Sequence, residues 1–309
     1  MSNNSRTRHK AVRALTAAVA AGGLLLGAGT TAGAADPLEL LTGSLDAGSA
    51  LLGISEQAPE SRLATVPNFR DAAGDAGAGY RGHDGARLRQ GELFRSDSLA
   101  AISDEDAQAM ADLGVVTIYD LRSDDEADEA PDRSVPGAER RHLPIDVGAT
   151  EADDFAHMSD PEEGREFMRE MNRDFVNDQQ AREQYGAMLA EIAETDGAVL
   201  YHCTSGKDRT GWTSMLLQHI AGVDDETIMQ DYLLTNEYIA DTVEPALDRI
   251  EEVGLDPEIF RPMILVEESF LQAGLDEVAK VYGDLDTYLT DGLGLNTAQI
   301  EALKVKMLA

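Results

Sequence analysis

Residues 185–221 read as a helix, a strand, a loop and a second helix. Tyr185, Met188, Leu189 and Ile192 recur on one helical face, and "AVLYH" at 198–202 is a short apolar run without helical period. Gly206 interrupts the chain, after which "TGWTSMLLQHIAG" resumes an apolar helical pattern. Such a unit predicts an α/β fold, with a mostly parallel central sheet flanked by helices on both faces. It also leaves Cys203, the chain's one cysteine, at the carboxyl end of a strand, where open α/β sheets bind ligands.

The flanking sequence agrees with that architecture. Turn signals between Val66 and "GELFRS" predict small strands. "SDEDAQAMADLG" predicts a short helix with Ser103 as N-cap and Gly114 at its end. "VVTIYDLRS" and "ERRHLPID" predict strands, each ending in an aspartate, with the acidic "DDEADEAPD" as a loop between them. From Thr150 to Glu194 the pattern is helical, with Asp160 as cap, Pro161 in the first turn and Glu163 completing the cap. Beyond Asp224 the chain reads as several helices, the last capped by Asn296 with Gln299.

The amino terminus has a different character. Arg6, Arg8, Lys10 and Arg13 precede an uncharged Ala, Leu and Gly stretch from Ala14 to Ala35, with small residues at Ala32-Gly33-Ala34. This predicts a cleaved signal peptide over 1–34 and a secreted protein, the alternative being an uncut signal anchor. Residues 35–62 read as a flexible N-terminal arm, and 63–309 as one domain. With four of the 25 Lys+Arg in the leader and none of the 58 Asp+Glu, the remainder carries 21 basic residues against 58 acidic ones. So negative a surface repels nucleic acid and anionic lipid, both of which are bound through cations. A single cysteine excludes an internal disulfide, so packing must stabilise an exported chain.

The loop "CTSGKDRTG" at 203–211 carries the chemistry. Successive loop N–H groups and a helix N-terminus form an anion site and favour the thiolate of Cys203. Arg209, six positions on, presents a guanidinium fork to the same anion, and Gly206 permits the tight turn. A tetrahedral phosphate suits such a cradle, with Thr204, Ser205, Gly206, Lys207, Arg209 and Thr210 around it and the sulfur in line with the ester oxygen. Attack then gives a phosphocysteine, and the leaving oxygen takes a proton from Asp208, or alternatively from Asp146 at the end of "HLPID". Thr210 is placed to hydrogen-bond the departing sulfur, and His202 to orient the loop. A reactive sulfur of this kind is expected to be reachable from solvent.

"HCTSGKDRTG" resembles the signature loop of cysteine-dependent protein tyrosine and dual-specificity phosphatases, most closely the secreted bacterial tyrosine phosphatase B type. "NFRD" at 68–71, "LFRS" at 93–96, "DLRS" at 120–123 and "DYLLTNEY" at 231–238 extend the resemblance across residues 63–309. It implies Cys203 as nucleophile, Arg209 as phosphate binder, Asp208 as an acid inside the phosphate-binding P-loop, and a helical lid formed by 151–180. It also implies phosphotyrosine substrates, with phosphoserine or phosphothreonine in some members. Others act on phosphoinositides or inositol phosphates, where Lys207 would supply an extra contact.

Other readings of the same residues are weaker. An inert core thiol does not explain Arg209 and Gly206 at these spacings. A rhodanese-type sulfurtransferase would have a shorter loop without Lys-Asp-Arg, and a non-catalytic phosphate-binding module would lack an acid. Arg70, Arg95 and Arg122 read as structural partners of acids. His83, His142, His157 and His219 lack ligand spacing, so neither metal nor cofactor is expected, and nothing indicates an oligomeric state.

Overall fold

The computed structural model describes residues 63–74, 79–147, 158–252 and 254–309. The expected leader (1–34) and arm (35–62) lie outside the described residues, as do His157 and positions 151–157 of the expected lid.

Five strands make one sheet: β1 (Arg70–Asp71), β2 (Leu93–Ser96), β3 (Val115–Asp120), β4 (Glu139–His142) and β5 (Ala198–His202). Their order is β1-β2-β5-β3-β4, with only the β1–β2 pair antiparallel. The central strand β5 is wholly buried and lies between the parallel strands β2 and β3. Its last residue, His202, is in register with Ser96 on one side and Asp120 on the other. Three carboxyl ends therefore meet at the residue before Cys203, which is where the chain order reverses across the sheet.

Alternation along the strands separates two cores. Phe94, Ile118, Ala198 and Leu200 face one side, with Ala107 and Met110 of α1 (Asp104–Asp112). Tyr119, Val199 and Tyr201 face the other, with a larger helical layer. A bulge between Val115 and Thr117 lets Val115 and Ile118, three residues apart, share one face. Helices thus cover both faces, as expected from sequence.

The caps follow sequence logic. Ser103 accepts from the Asp106 N–H at the start of α1, and Asp160 with Glu163 forms a capping box on α3 (Pro161–Asn177). Two expectations need correction. The acidic "DDEADEAPD" segment is not all loop, because α2 (Asp124–Glu129) forms there behind a Ser123/Glu126 capping box. The strand expected over "ERRHLPID" ends at His142, so Asp146 lies in the following loop. The Leu143 and Ile145 N–H groups still bond to Asp120 and Leu121 carbonyls, which tie that loop to the end of β3.

α4 (Gln179–Glu194) and α5 (Asp208–Ala221) follow, then α6 (Asp225–Leu233), α7 (Thr235–Tyr238), α8 (Ala240–Glu252), α9 (Pro257–Ile264), α10 (Glu268–Val281) and α11 (Thr297–Met307). α3 packs against α9 and α10 through Met168, Met171, Phe175 and Val176, all buried. α5 is buried almost all round, including Trp212, Met215, Leu216 and Ile220, as a helix enclosed by sheet and helices must be. No described helix is long and apolar enough to cross a membrane.

Candidate active site

The loop between β5 and α5 is only Cys203–Lys207, because Asp208, Arg209 and Thr210 already form the first turn of the helix. The site is therefore a short turn aimed along a helix N-terminus, whose unpaired N–H groups and dipole favour an anion. Gly206 has φ +64°, and a Cβ there would collide with the Ser96 carbonyl, so both its conformation and its surroundings demand glycine.

Arg209 curls back over the turn and is held end-on by Glu126. Its Nη1 and Nη2 donate to the two carboxylate oxygens at 2.7 and 2.8 Å. The Thr204 hydroxyl donates to the same carboxylate at 2.6 Å, and the Ser123 N–H of the capping box does so at 2.8 Å. Burial would raise the Glu126 carboxyl, but the Arg209 charge and hydrogen bonds outweigh it and pull the group down to about 2. Nη1 of Arg209 also reaches the Leu121 and Ile145 carbonyls at 3.3 and 3.4 Å. Nε takes part in none of these bonds.

Burial alone would push the Cys203 thiol up. The Arg209 charge and the hydroxyl and N–H of Thr210 outweigh it, so the thiol lies below its ordinary value although the Asp208 carboxylate opposes the shift. The Thr210 hydroxyl is fully buried without another partner among the described residues, which leaves it free for sulfur. Contrary to the expectation of a reachable sulfur, Cys203 is only 2% exposed. The Glu126 carboxylate bridges Thr204, beside the cysteine, and Arg209, so the two sides of the turn are drawn together.

The remaining predicted residues divide. Ser205 is buried in the turn beside Gly206. The Lys207 ammonium, expected to add a side-chain contact to phosphate, lies at the end of α9 and donates to the Met263 and Leu265 carbonyls at 2.6 and 3.3 Å. The unsatisfied carbonyls and negative dipole end of that helix explain the attraction. The Asp208 carboxyl stands 3.7 Å from the Lys207 ammonium and also interacts with the buried Tyr232 hydroxyl. Asp146 adjoins Ile145, whose carbonyl meets Arg209; burial, then the Glu126 charge, raises its carboxyl. Both acid candidates thus flank the turn.

Behind the turn lies an ion network. Burial lowers the His202 imidazole, but the Asp132 and Asp120 carboxylates raise it to about 9, and Nδ1 donates to the Cys203 carbonyl at 3.0 Å. Its Nε2 makes an ion pair of 3.1 Å with Asp132. Asp120, Asp132 and His202 cluster as cation ligands do, yet the Arg122 guanidinium already joins both carboxylates at 2.7 and 2.8 Å. Arg70 and Arg95 share the buried Asp231 at 3.4 and 2.9 Å, so all three arginines pair with acids, as read from sequence. Glu126 was not singled out by sequence, although Ser123-x-x-Glu126 carries a capping-box signal that would have moved it from loop to helix.

The profile of the tyrosine phosphatase family matches residues 61–309. A provisionally named tyrosine-protein phosphatase of Cupriavidus necator is 33% identical over 242 residues, covering 76% of this chain and 85% of that protein. The triple specificity protein phosphatase PtpB of Mycobacterium tuberculosis is 28% identical over 272 residues, covering 77% and 95%. A tyrosine-protein phosphatase of Nostoc commune is 28% identical over 291 residues, covering 87% and 96%. With a cysteine turn of this geometry at the end of β5 and a family match across the whole described region, the chain belongs to the tyrosine phosphatase family of enzymes.

Proposed function

We propose that this phosphatase hydrolyses phosphate monoesters, phosphotyrosine foremost and phosphoserine or phosphothreonine with it, through a phosphocysteine on Cys203. The observation that carries the reading is the lowered Cys203 thiol between Arg209 and the N-terminus of α5. The thiolate attacks phosphorus, the P–O ester bond breaks, and the leaving oxygen takes its proton from an acid. Water then attacks the phosphocysteine as the P–S bond breaks and gives its proton back to the carboxylate that acted as acid, releasing inorganic phosphate and the thiolate, with Thr210 bonding the departing sulfur. Asp208 is the acid in this account, supported by its place in the first turn of α5 beside the cysteine turn, and Asp146, whose carboxyl is raised, is the alternative. We further propose that a helical lid over 151–180 covers the bound substrate, as the family resemblance implies.

The name of the M. tuberculosis relative supports breadth across phosphorylated residues. A phosphoinositide reading is disfavoured by Lys207, whose ammonium is occupied by two backbone carbonyls, and by the acidic composition. We further propose that 63–309 acts as one phosphatase domain, exported by cleavage of residues 1–34.

The test is turnover of a series of aryl phosphates with a chelator present. Activity should persist without metal. Asp208→Asn should slow esters with poor leaving groups more than those with good ones, and Asp146→Asn should do so less. The reverse order would transfer the acid role to Asp146; no effect from either would remove both. Thiosulfate turnover instead of phosphate release would favour a sulfurtransferase, and phosphopeptide binding without turnover a binding module.

A further inference from the structure

We infer that Asn68 is a positioning residue that aims the backbone N–H groups of the phosphate-binding turn inward, by holding the carbonyls of that turn from outside. This rests on the phosphatase reading of the same site.

Asn68 is fully buried and has φ +57°, a left-handed conformation that asparagine tolerates better than most residues. Its Nδ2 donates to two successive carbonyls of the turn, Ser205 at 3.0 Å and Gly206 at 2.8 Å. Arg95 Nη2 adds a second bond to Gly206 at 2.9 Å, and the Ser98 N–H takes the Thr204 carbonyl at 3.2 Å. The three carbonyls of residues 204–206 are thus all engaged on the outer side. Peptide units are planar and none here is cis, so each N–H points opposite to the carbonyl of its own unit. The N–H groups of Ser205, Gly206 and Lys207 must therefore point into the hollow of the turn, where an oxyanion needs donors.

The amide can serve only one way round. Its Oδ1 accepts from Arg70 Nη1, while Nδ2 faces two acceptors, so exchanging the ends would oppose donors to a donor and acceptors to acceptors. Arg70 and Arg95 are both anchored on Asp231, which is buried. Asn68, the two arginines and Asp231 form a continuous frame from "NFRD", "LFRS" and "DYLLTNEY" to the turn. None of these four side chains is proposed to touch substrate.

Two substitutions separate this role from plain packing. Asn68→Asp keeps shape and the Arg70 contact but replaces the two donors by an acceptor. Asn68→Gly removes the donors while suiting the left-handed backbone. In each, inhibition by inorganic phosphate should weaken about tenfold or more, and alkylation of Cys203 by iodoacetamide should require higher pH than in the wild type. Folding is followed by thermal unfolding of the same samples. Folded variants that bind phosphate and alkylate as the wild type does would overturn the inference. Loss of folding in both would assign Asn68 to the scaffold alone and overturn it equally. A wild type that neither binds phosphate nor shows a low thiol would instead remove the phosphatase reading beneath it.

Discussion

Cys203→Ser is expected to abolish hydrolysis of aryl phosphates, lowering kcat/KM by at least about 10⁴-fold. The substitution changes little in volume, and the turn should keep its shape, since Gly206, Arg209 and Thr210 stay in place. What disappears is a sulfur nucleophile that ionises more readily than an ordinary thiol. Arg209 and Thr210 lower a thiol below its ordinary value against the cost of burial, but a serine hydroxyl starts far too basic for the same surroundings to ionise it near neutral pH. Phosphate binding should survive, because the proposed donors, backbone N–H groups and Arg209, are unchanged. A steady-state assay with inorganic phosphate as competing ligand separates the two properties. Turnover comparable to the wild type would remove Cys203 from the reaction.

Arg209→Lys should cost on the order of 10³-fold in kcat/KM even though the charge is kept. In the proposed reaction the guanidinium performs two tasks at once that one ammonium cannot. Its end-on edge makes a bidentate pair with Glu126 at 2.7 and 2.8 Å, leaving the other edge for the phosphoryl oxygens. A lysine would satisfy either the carboxylate or the phosphate as a point charge, and Glu126, partly buried and held near 2, would compete with the substrate for it. Because Arg209 is also the foremost favourable influence on the sulfur, the variant should alkylate more slowly at neutral pH. A loss of less than tenfold would show that the fork is not what binds the transferring group.

Much of this was legible in the sequence because the signals are local. The apolar run "AVLYH", the caps at Ser103, Asp160 and Asn296, and the buried face of α5 all depend on spacing within a few residues, and the structure has each of them. The positions of Cys203 and Arg209 followed from a single short loop. What failed to show depended on partners distant in the chain. Glu126 meets Arg209 across 83 positions, and Lys207 meets Met263 across 56, so nothing near either residue announces the contact. The acidic run at 124–129 looked like solvated loop because charge dominates its composition, while its capping box makes it a helix. The burial of Cys203 was likewise not legible, because a residue's exposure depends on segments distant in the chain.

The central claim is that the Cys203 thiol is lowered below its ordinary value within an anion site, and its alkylation rate tests that most directly. Iodoacetamide modification should be followed from pH 5 to 10, with and without inorganic phosphate. The account predicts a rate that titrates with a midpoint below the roughly 8.5 of a free thiol, and falls when phosphate is present. A midpoint at or above that value, with no protection by phosphate, would contradict it.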